Sequence, residues 1–166
     1  MAKFKFDMDE VIRTHLNLQG QFNAIASFTL YDAAEVMAAG LKAAAQTLPT
    51  EPRNTRSTTR PRLQTLSPEQ KRGLVNNVTV RKFKRKNGTI ETTVTFGGYN
   101  DFKTEKWPKG QPNLMIAASV VQGTSVHSKY DFIKKAEKEY KRAVENEIKT
   151  KAAQYMEKAA EGKPFK

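Results

Sequence analysis

Alternating polar and apolar positions predict a β-hairpin in the middle of the chain, over residues 76–96. On its second arm, apolar or β-branched residues occupy every second position from Ile90 to Phe96, which is the period of a half-buried strand. Between the arms stands Asn87-Gly88, the pair that a type I′ turn prefers because both central residues need a positive φ. The pattern therefore predicts two antiparallel strands joined by a two-residue turn.

Helical spacing predicts two long helices, one on each side of the hairpin. Apolar residues recur at intervals of three and four over residues 21–48, and Pro49 ends this helix. Gly20 interrupts the pattern, so residues 1–20 are expected to form an amino-terminal arm or a short helix. The second helix covers residues 128–160 and would span on the order of 45 Å. Because a small domain is narrower, we expect one end to project or to pack on another subunit.

Two further segments complete the expected fold. Residues 49–73 hold four prolines and no apolar period, which predicts a basic flexible loop. Residues 114–122, LMIAASVVQ, are apolar at both alternating sets and predict a central strand within a β-sheet region over 74–124. We expect a single α+β domain over residues 1–166, with an antiparallel sheet of about three to five strands packed against two long helices.

Positive charge is concentrated in the middle of the chain. The net charge is +12, and residues 51–112 carry 14 basic and 5 acidic side chains, against 4 and 5 in residues 1–50. Such a basic region favours a polyanion or an acidic partner, although cationic edge strands also simply prevent aggregation. The candidate DNA-facing or partner-facing residues are Arg53, Arg56, Arg60, Arg62, Arg81, Lys82, Lys84, Arg85 and Lys86.

One aromatic residue is a candidate interface anchor. Trp107 is the only tryptophan and lies in a loop punctuated by glycine and proline, where exposed aromatics often mediate contacts. The alternative is that its ring folds back over the edge of the sheet.

Residues suited to catalysis are scarce. The chain has no cysteine, which excludes disulfides and thiolate metal sites, and neither His15 nor His127 has a partner at ligand spacing. We predict no catalytic, cofactor-binding or metal-binding residues, and no enzyme activity. The amino terminus lacks the apolar core of a signal peptide, and no run approaches the length of a membrane span, so synthesis in the cytoplasm and no membrane contact are expected.

The order of elements resembles the tail-completion or neck proteins of long-tailed bacteriophages, of the minor tail protein Z type. Leu48-Pro49 matches the end of that family's first helix, Val121-Gln122-Gly123-Thr124 stands where its Gly-Thr motif belongs, and Tyr130-Asp131-Phe132 precedes Ala136 near its Pro-Phe position. The chain departs from the family where residues 60–74 replace a Thr-Gly-x-Leu segment. It also has Val-Gln before Gly-Thr, and no proline before Phe132.

This resemblance implies a structural virion protein of the phage neck or upper tail, made in the bacterial host cytoplasm. Such a protein would form a homo-oligomeric ring, sixfold by resemblance, that completes the tail and joins it to the head around the DNA path. Its partners would be itself and neighbouring neck or tail proteins, with non-specific contact to packaged DNA. The alternative is a stand-alone nucleic-acid-binding module that uses the basic hairpin and the Arg-rich loop. Against it, the aromatics are not interleaved with the cations as a stacking platform requires.

Overall fold

The computed structural model describes residues 8–50, 66–82, 84–86, 89–101, 103–124 and 129–165, without the side chains of residues 8–17, 85 and 86. Within these ranges the fold combines helices and short strands, which confirms the α+β class in broad terms. The elements in chain order are α1 (Met8–Gln46), α2 (Pro68–Asn76), β1 (Val78–Val80), β2 (Lys84–Lys86), β3 (Thr89–Glu91), β4 (Val94–Phe96), α3 (Asn113–Gln122) and α4 (Phe132–Ala160).

The two long helices, α1 and α4, pack against each other in antiparallel orientation. Gly40 lies beside Tyr140, and further along the pair Asp32 meets Tyr155. Helix α1 is continuous through Gly20, so the predicted break there is wrong. The physical reason is that one glycine in a helix interior costs only about 1 kcal/mol, which a helix of 39 residues absorbs.

Part of α1 has the composition of a membrane span. Between Leu18 and Gln46 it is long and apolar enough to cross a bilayer, with a mean hydropathy of 1.2, which corrects the expectation that no run approaches that length. Core helices of globular proteins meet the same two criteria, and 39% of the apolar window is buried inside this fold.

The hairpin consists of two short antiparallel ladders, β1 with β4 and β2 with β3. Arg81 donates its N–H to the Thr93 carbonyl at 2.8 Å, whereas Lys84 pairs with Glu91. Between these two pairs the first arm has two residues and the second has only Thr92. The hairpin therefore contains a β-bulge, which bends and twists the arm that carries the positive charge. The predicted Asn-Gly turn lies outside the described residues.

The predicted central strand is a helix. Residues 113–122 form α3, whose buried residues Asn113, Ile116, Ala117 and Val120 follow helical spacing. A short run that is apolar throughout has no distinguishing period, so the sequence pattern does not separate a buried strand from a buried helix. Consequently the sheet of three to five strands is also wrong, because the described strands form two separate two-stranded ladders.

A short helix occupies the end of the segment predicted as a loop. Helix α2 begins at Pro68, and Ser67 and Gln70 form a capping box in which each side chain accepts from the other's backbone N–H. The expected loop over residues 49–73 is therefore wrong from residue 68 onward. Residues 51–65 lie outside the described part of the chain.

The buried side chains form two clusters. The main core joins the end of α1 to α2, β4, α3 and the start of α4, and its largest fully buried side chains include Phe132, Leu48 and Leu74. A second, smaller cluster of Ile25, Tyr155 and Ala159 lies toward the other end of the helix pair. The charged hairpin and the loop after it are therefore attached to the end of the molecule that holds the main core.

Candidate functional site

Three exposed cations follow β1 on the first arm of the hairpin, and we refer to Arg81, Lys82 and Lys84 as the basic ribbon. Arg85 and Lys86 continue the same arm in β2, and their side chains lie outside the description. Near the bulge, the Thr92 hydroxyl donates to the Arg81 carbonyl at 2.8 Å, which satisfies a backbone group that the ladder leaves free.

Neither of the other two predicted groups joins the ribbon in the described structure. The loop arginines, Arg53, Arg56, Arg60 and Arg62, lie outside the described residues, so their role stays a prediction. Trp107 is half-buried, and its backbone N–H and carbonyl are both bonded to Thr104 at 3.0 Å. Its ring lies 5.9 Å from the ammonium of Lys106, and its role as an interface anchor stays a prediction.

A buried amide network anchors the loop that carries Trp107. The Asn113 side chain is fully buried and donates to the Gly97 carbonyl at 2.7 Å, while its own N–H bonds to Gly98. Asn100 is 4% exposed, and its side-chain oxygen accepts from the Gln111 N–H at 2.9 Å. Buried amides that bond backbone groups on both sides fix a loop in one conformation. The apolar pattern of the sequence gave no signal for this network.

An apolar groove of about 430 Å³ opens between β4, α3 and the helix pair. Its floor contains the buried side chains of Leu41, Phe96 and Ala117, and at its rim Leu114 is 53% exposed. Among the described residues, the only charged one that lines it is Glu137. The remaining lining residues are Met37, Thr92, Thr93, Val94, Thr95, Ala118, Val121, Gln122 and Ile133.

One wall of this groove is the outer edge of β4. In an antiparallel ladder only alternate residues bond to the partner strand. Here Thr93 bonds to Arg81 and Gly97 bonds to Asn77, the residues on either side of β1. The N–H and carbonyl groups of Val94 and Phe96 therefore point to the opposite edge of the strand. Within the described residues no bond to these four groups is recorded. The groove therefore combines apolar side chains with a strand edge open to pairing.

Two of the motifs that carry the phage resemblance lie at the end of α3 and at the start of α4. Gly123 has φ +74°, and a β-carbon there would lie 2.9 Å from the Lys129 side chain. The Tyr130 N–H then donates to the Val120 carbonyl at 2.8 Å. These bonds direct Phe132 into the core, where it is fully buried with its ring 5.7 Å from that of Phe96.

A polar contact ties the far end of the helix pair together. The Tyr155 hydroxyl donates to the Asp32 carboxylate at 2.8 Å, and Lys151 lies 3.5 Å from the same oxygen. Burial, followed by the bond to Asp32, raises the pKa of Tyr155 to about 12. The neutral phenol is thus the form that this contact requires, which fits a structural role.

Comparison with protein-family models, with curated proteins and with solved structures found no match to this chain. Membership of the tail-completion family therefore stays a prediction. Among the described residues, no group of three His, Asp or Glu side chains is placed to hold a metal ion.

Proposed function

We propose that this chain is a structural virion protein of the phage neck or upper tail, which forms part of a ring that completes the tail and joins it to the head around the DNA path. What supports the proposal is architecture and charge. A helix pair with a charged hairpin at one end suits a protein that binds neighbouring proteins or DNA and does not catalyse a reaction.

The observation that carries the proposal is the connection from Gly123 to Phe132. The positions that resemble the family's Gly-Thr and Phe motifs are the ones that the fold needs, because Gly123 has a positive φ and Phe132 and Ala136 are fully buried. A chance match of short motifs would not be expected to fall on positions with such specific backbone and packing demands. This supports a shared fold, from which the virion role follows as a proposal.

An amber codon in the gene tests the role directly, in the phage that encodes the chain. The restrictive host should then release filled heads and separate tails, and supplying the chain in trans should restore joining. Normal joined particles under restriction would refute the proposal. A control amber codon in a known head gene should instead abolish filled heads, which separates a joining defect from a general assembly defect.

The second candidate is a free-standing nucleic-acid-binding module. The observation that favours it is the exposure of all three cations of the basic ribbon, which phosphate contacts would use. We propose the virion role first, because the sequence contains no recognised nucleic-acid reader motif.

A further inference from the structure

The amino-terminal segment has the pattern of a strand that fits the open edge of β4. Residues 3–6 read Lys-Phe-Lys-Phe, so Phe4 and Phe6 fall on one face of an extended chain and the two lysines on the other. The segment precedes α1 and lies outside the described residues. We propose that residues 3–6 of one copy dock as an additional strand on β4 of a second copy, with both phenylalanines in the groove.

The groove has the chemistry and the size that this segment requires. Within the described residues the N–H and carbonyl groups of Val94 and Phe96 are unpaired. They supply bonding sites for a strand, and pockets for alternate side chains supply selectivity. A cavity of about 150 Å³ accommodates one benzene ring, so a groove of about 430 Å³ has room for two phenyl rings.

The segment does not reach the groove of its own chain. Met37, which lines the groove, is 29 positions after Met8, or about 44 Å away along the helix axis at about 1.5 Å per residue. Residue 3 stands five positions before Met8, and five fully extended residues span at most about 18 Å. The donor and the acceptor must therefore belong to different copies.

This geometry makes the contact head-to-tail, because the donating and accepting surfaces are different parts of the molecule. Repeated head-to-tail contacts close into a ring or continue as a filament. The inference rests on the proposed ring assembly and names the contact that would form it. Each copy therefore has one segment that docks on a neighbour and one groove that receives the segment of another neighbour.

Disulfide trapping tests the contact in the full-length protein. The chain has no cysteine, so a mixed-tag disulfide forms only between Phe6→Cys on one copy and Ala118→Cys on a differently tagged copy. Ala118 is exposed at the groove, which makes the substitution compatible with folding. We expect a mixed-tag dimer under mild oxidation. Lys5→Cys is the matched control, because its side chain would face away and its yield should be several-fold lower.

Hydrodynamic measurements on two arm variants give an independent readout. Phe4→Ser with Phe6→Ser should weaken self-association at least about tenfold, since each lost phenylalanine removes buried apolar area. The exchange Phe4→Lys with Lys5→Phe keeps composition and charge but destroys the alternation, and it should weaken association equally. Light scattering after size-exclusion chromatography measures both, and circular dichroism verifies that they fold.

Several results would overturn the inference. These are a monomeric wild-type chain at all accessible concentrations, rings that form without the mixed-tag disulfide, equal trapping by Lys5→Cys, or full association of the exchanged variant. Rings without the disulfide would reject only this contact and leave the proposed function standing. Conversely, trapped rings from a chain whose amber mutant still yields joined particles would uphold the contact and reject the function.

Discussion

The ring of Tyr140 on α4 lies directly against the backbone of Gly40 on α1. A β-carbon at Gly40 would be 2.5 Å from Cγ of that ring, closer than such atoms approach. Glycine at this position therefore allows the two long helices to approach each other.

Substitution of Gly40 by alanine should destabilise the protein. Alanine normally stabilises a helix by about 1 kcal/mol relative to glycine, but overpacking against Tyr140 should reverse the sign, with a net loss of about 1–3 kcal/mol. Gly20→Ala on the same helix is the matched control, because nothing lies within 4 Å of its added carbon. In urea unfolding, the free energy of unfolding should be higher for Gly20→Ala than for the wild type, and lower for Gly40→Ala.

A double-mutant cycle isolates the contact itself. With Tyr140→Ala the space above Gly40 opens, so adding Gly40→Ala should now stabilise the protein by up to about 1 kcal/mol. If the alanine remains destabilising without the Tyr140 ring, the helices are held apart by something other than this contact.

Two neighbouring substitutions on α3 separate its helical form from the strand that the sequence suggested. Val120→Asp places a carboxylate at a position 4% exposed and should cost on the order of 3 kcal/mol or more. Ala118→Asp, at an exposed position, should have little effect on the melting temperature. In a strand the two side chains would share one face, so equal losses of stability would contradict the helix.

The stability of the helix pair should decrease at high pH. The pKa of Tyr155 is raised from 10.0 to about 12 by burial and by its bond to Asp32, so the native state favours the neutral phenol. Its contribution is complete below pH 10 and is lost as the pH rises from 10 through 12, by on the order of 2 kcal/mol. Between pH 9 and pH 11.5, the free energy of unfolding measured in urea should decrease by this amount more in the wild type than in Tyr155→Phe. Parallel losses in the two proteins would count against the prediction.

Salt dependence separates the two candidate functions of the basic ribbon. A phosphate contact contributes about 0.9 to the slope of log affinity against log salt. For a ring component that lies beside DNA, we expect weak binding of free duplex DNA at physiological ionic strength, indifferent to base sequence. We expect a variant with serine at Arg81, Lys82, Lys84, Arg85 and Lys86 to fold normally. The same variant should impair the joining of phage heads to phage tails. Tight, sequence-selective binding lost in that variant would favour the nucleic-acid-binding module.

Local signals in the sequence predicted the two long helices and the register of the inner ladder, β2 with β3. The bulge shifts the outer ladder, β1 with β4, by one residue from that register. The pairing of Lys86 with Thr89 fits a two-residue connection, and α4 ends where the apolar stripe ends. The sequence also carries a signal for α2, because Ser67, Pro68 and Gln70 form the capping-box pattern with proline at the first helical position.

Other features depend on tertiary contacts that no local pattern encodes. The β-bulge becomes visible only when the registers of both ladders are compared. The groove and the open edge of β4 result from α3 being a helix, which leaves that edge uncovered by a further strand. Asn113 reads as a loop residue in the sequence, yet its fully buried amide holds the Gly97 backbone.

The two buried clusters imply that the two ends of the helix pair differ in their stability against local unfolding. Twelve buried residues form the main core, whereas the far cluster has three, Ile25, Tyr155 and Ala159. Local unfolding begins where few apolar contacts oppose it. Amide hydrogens at the end of α4 near Ala159 should therefore exchange with solvent well before those around Ala136. The end of the helix pair far from the main core would therefore change its angle when it contacts a neighbouring molecule, while the main core stays folded.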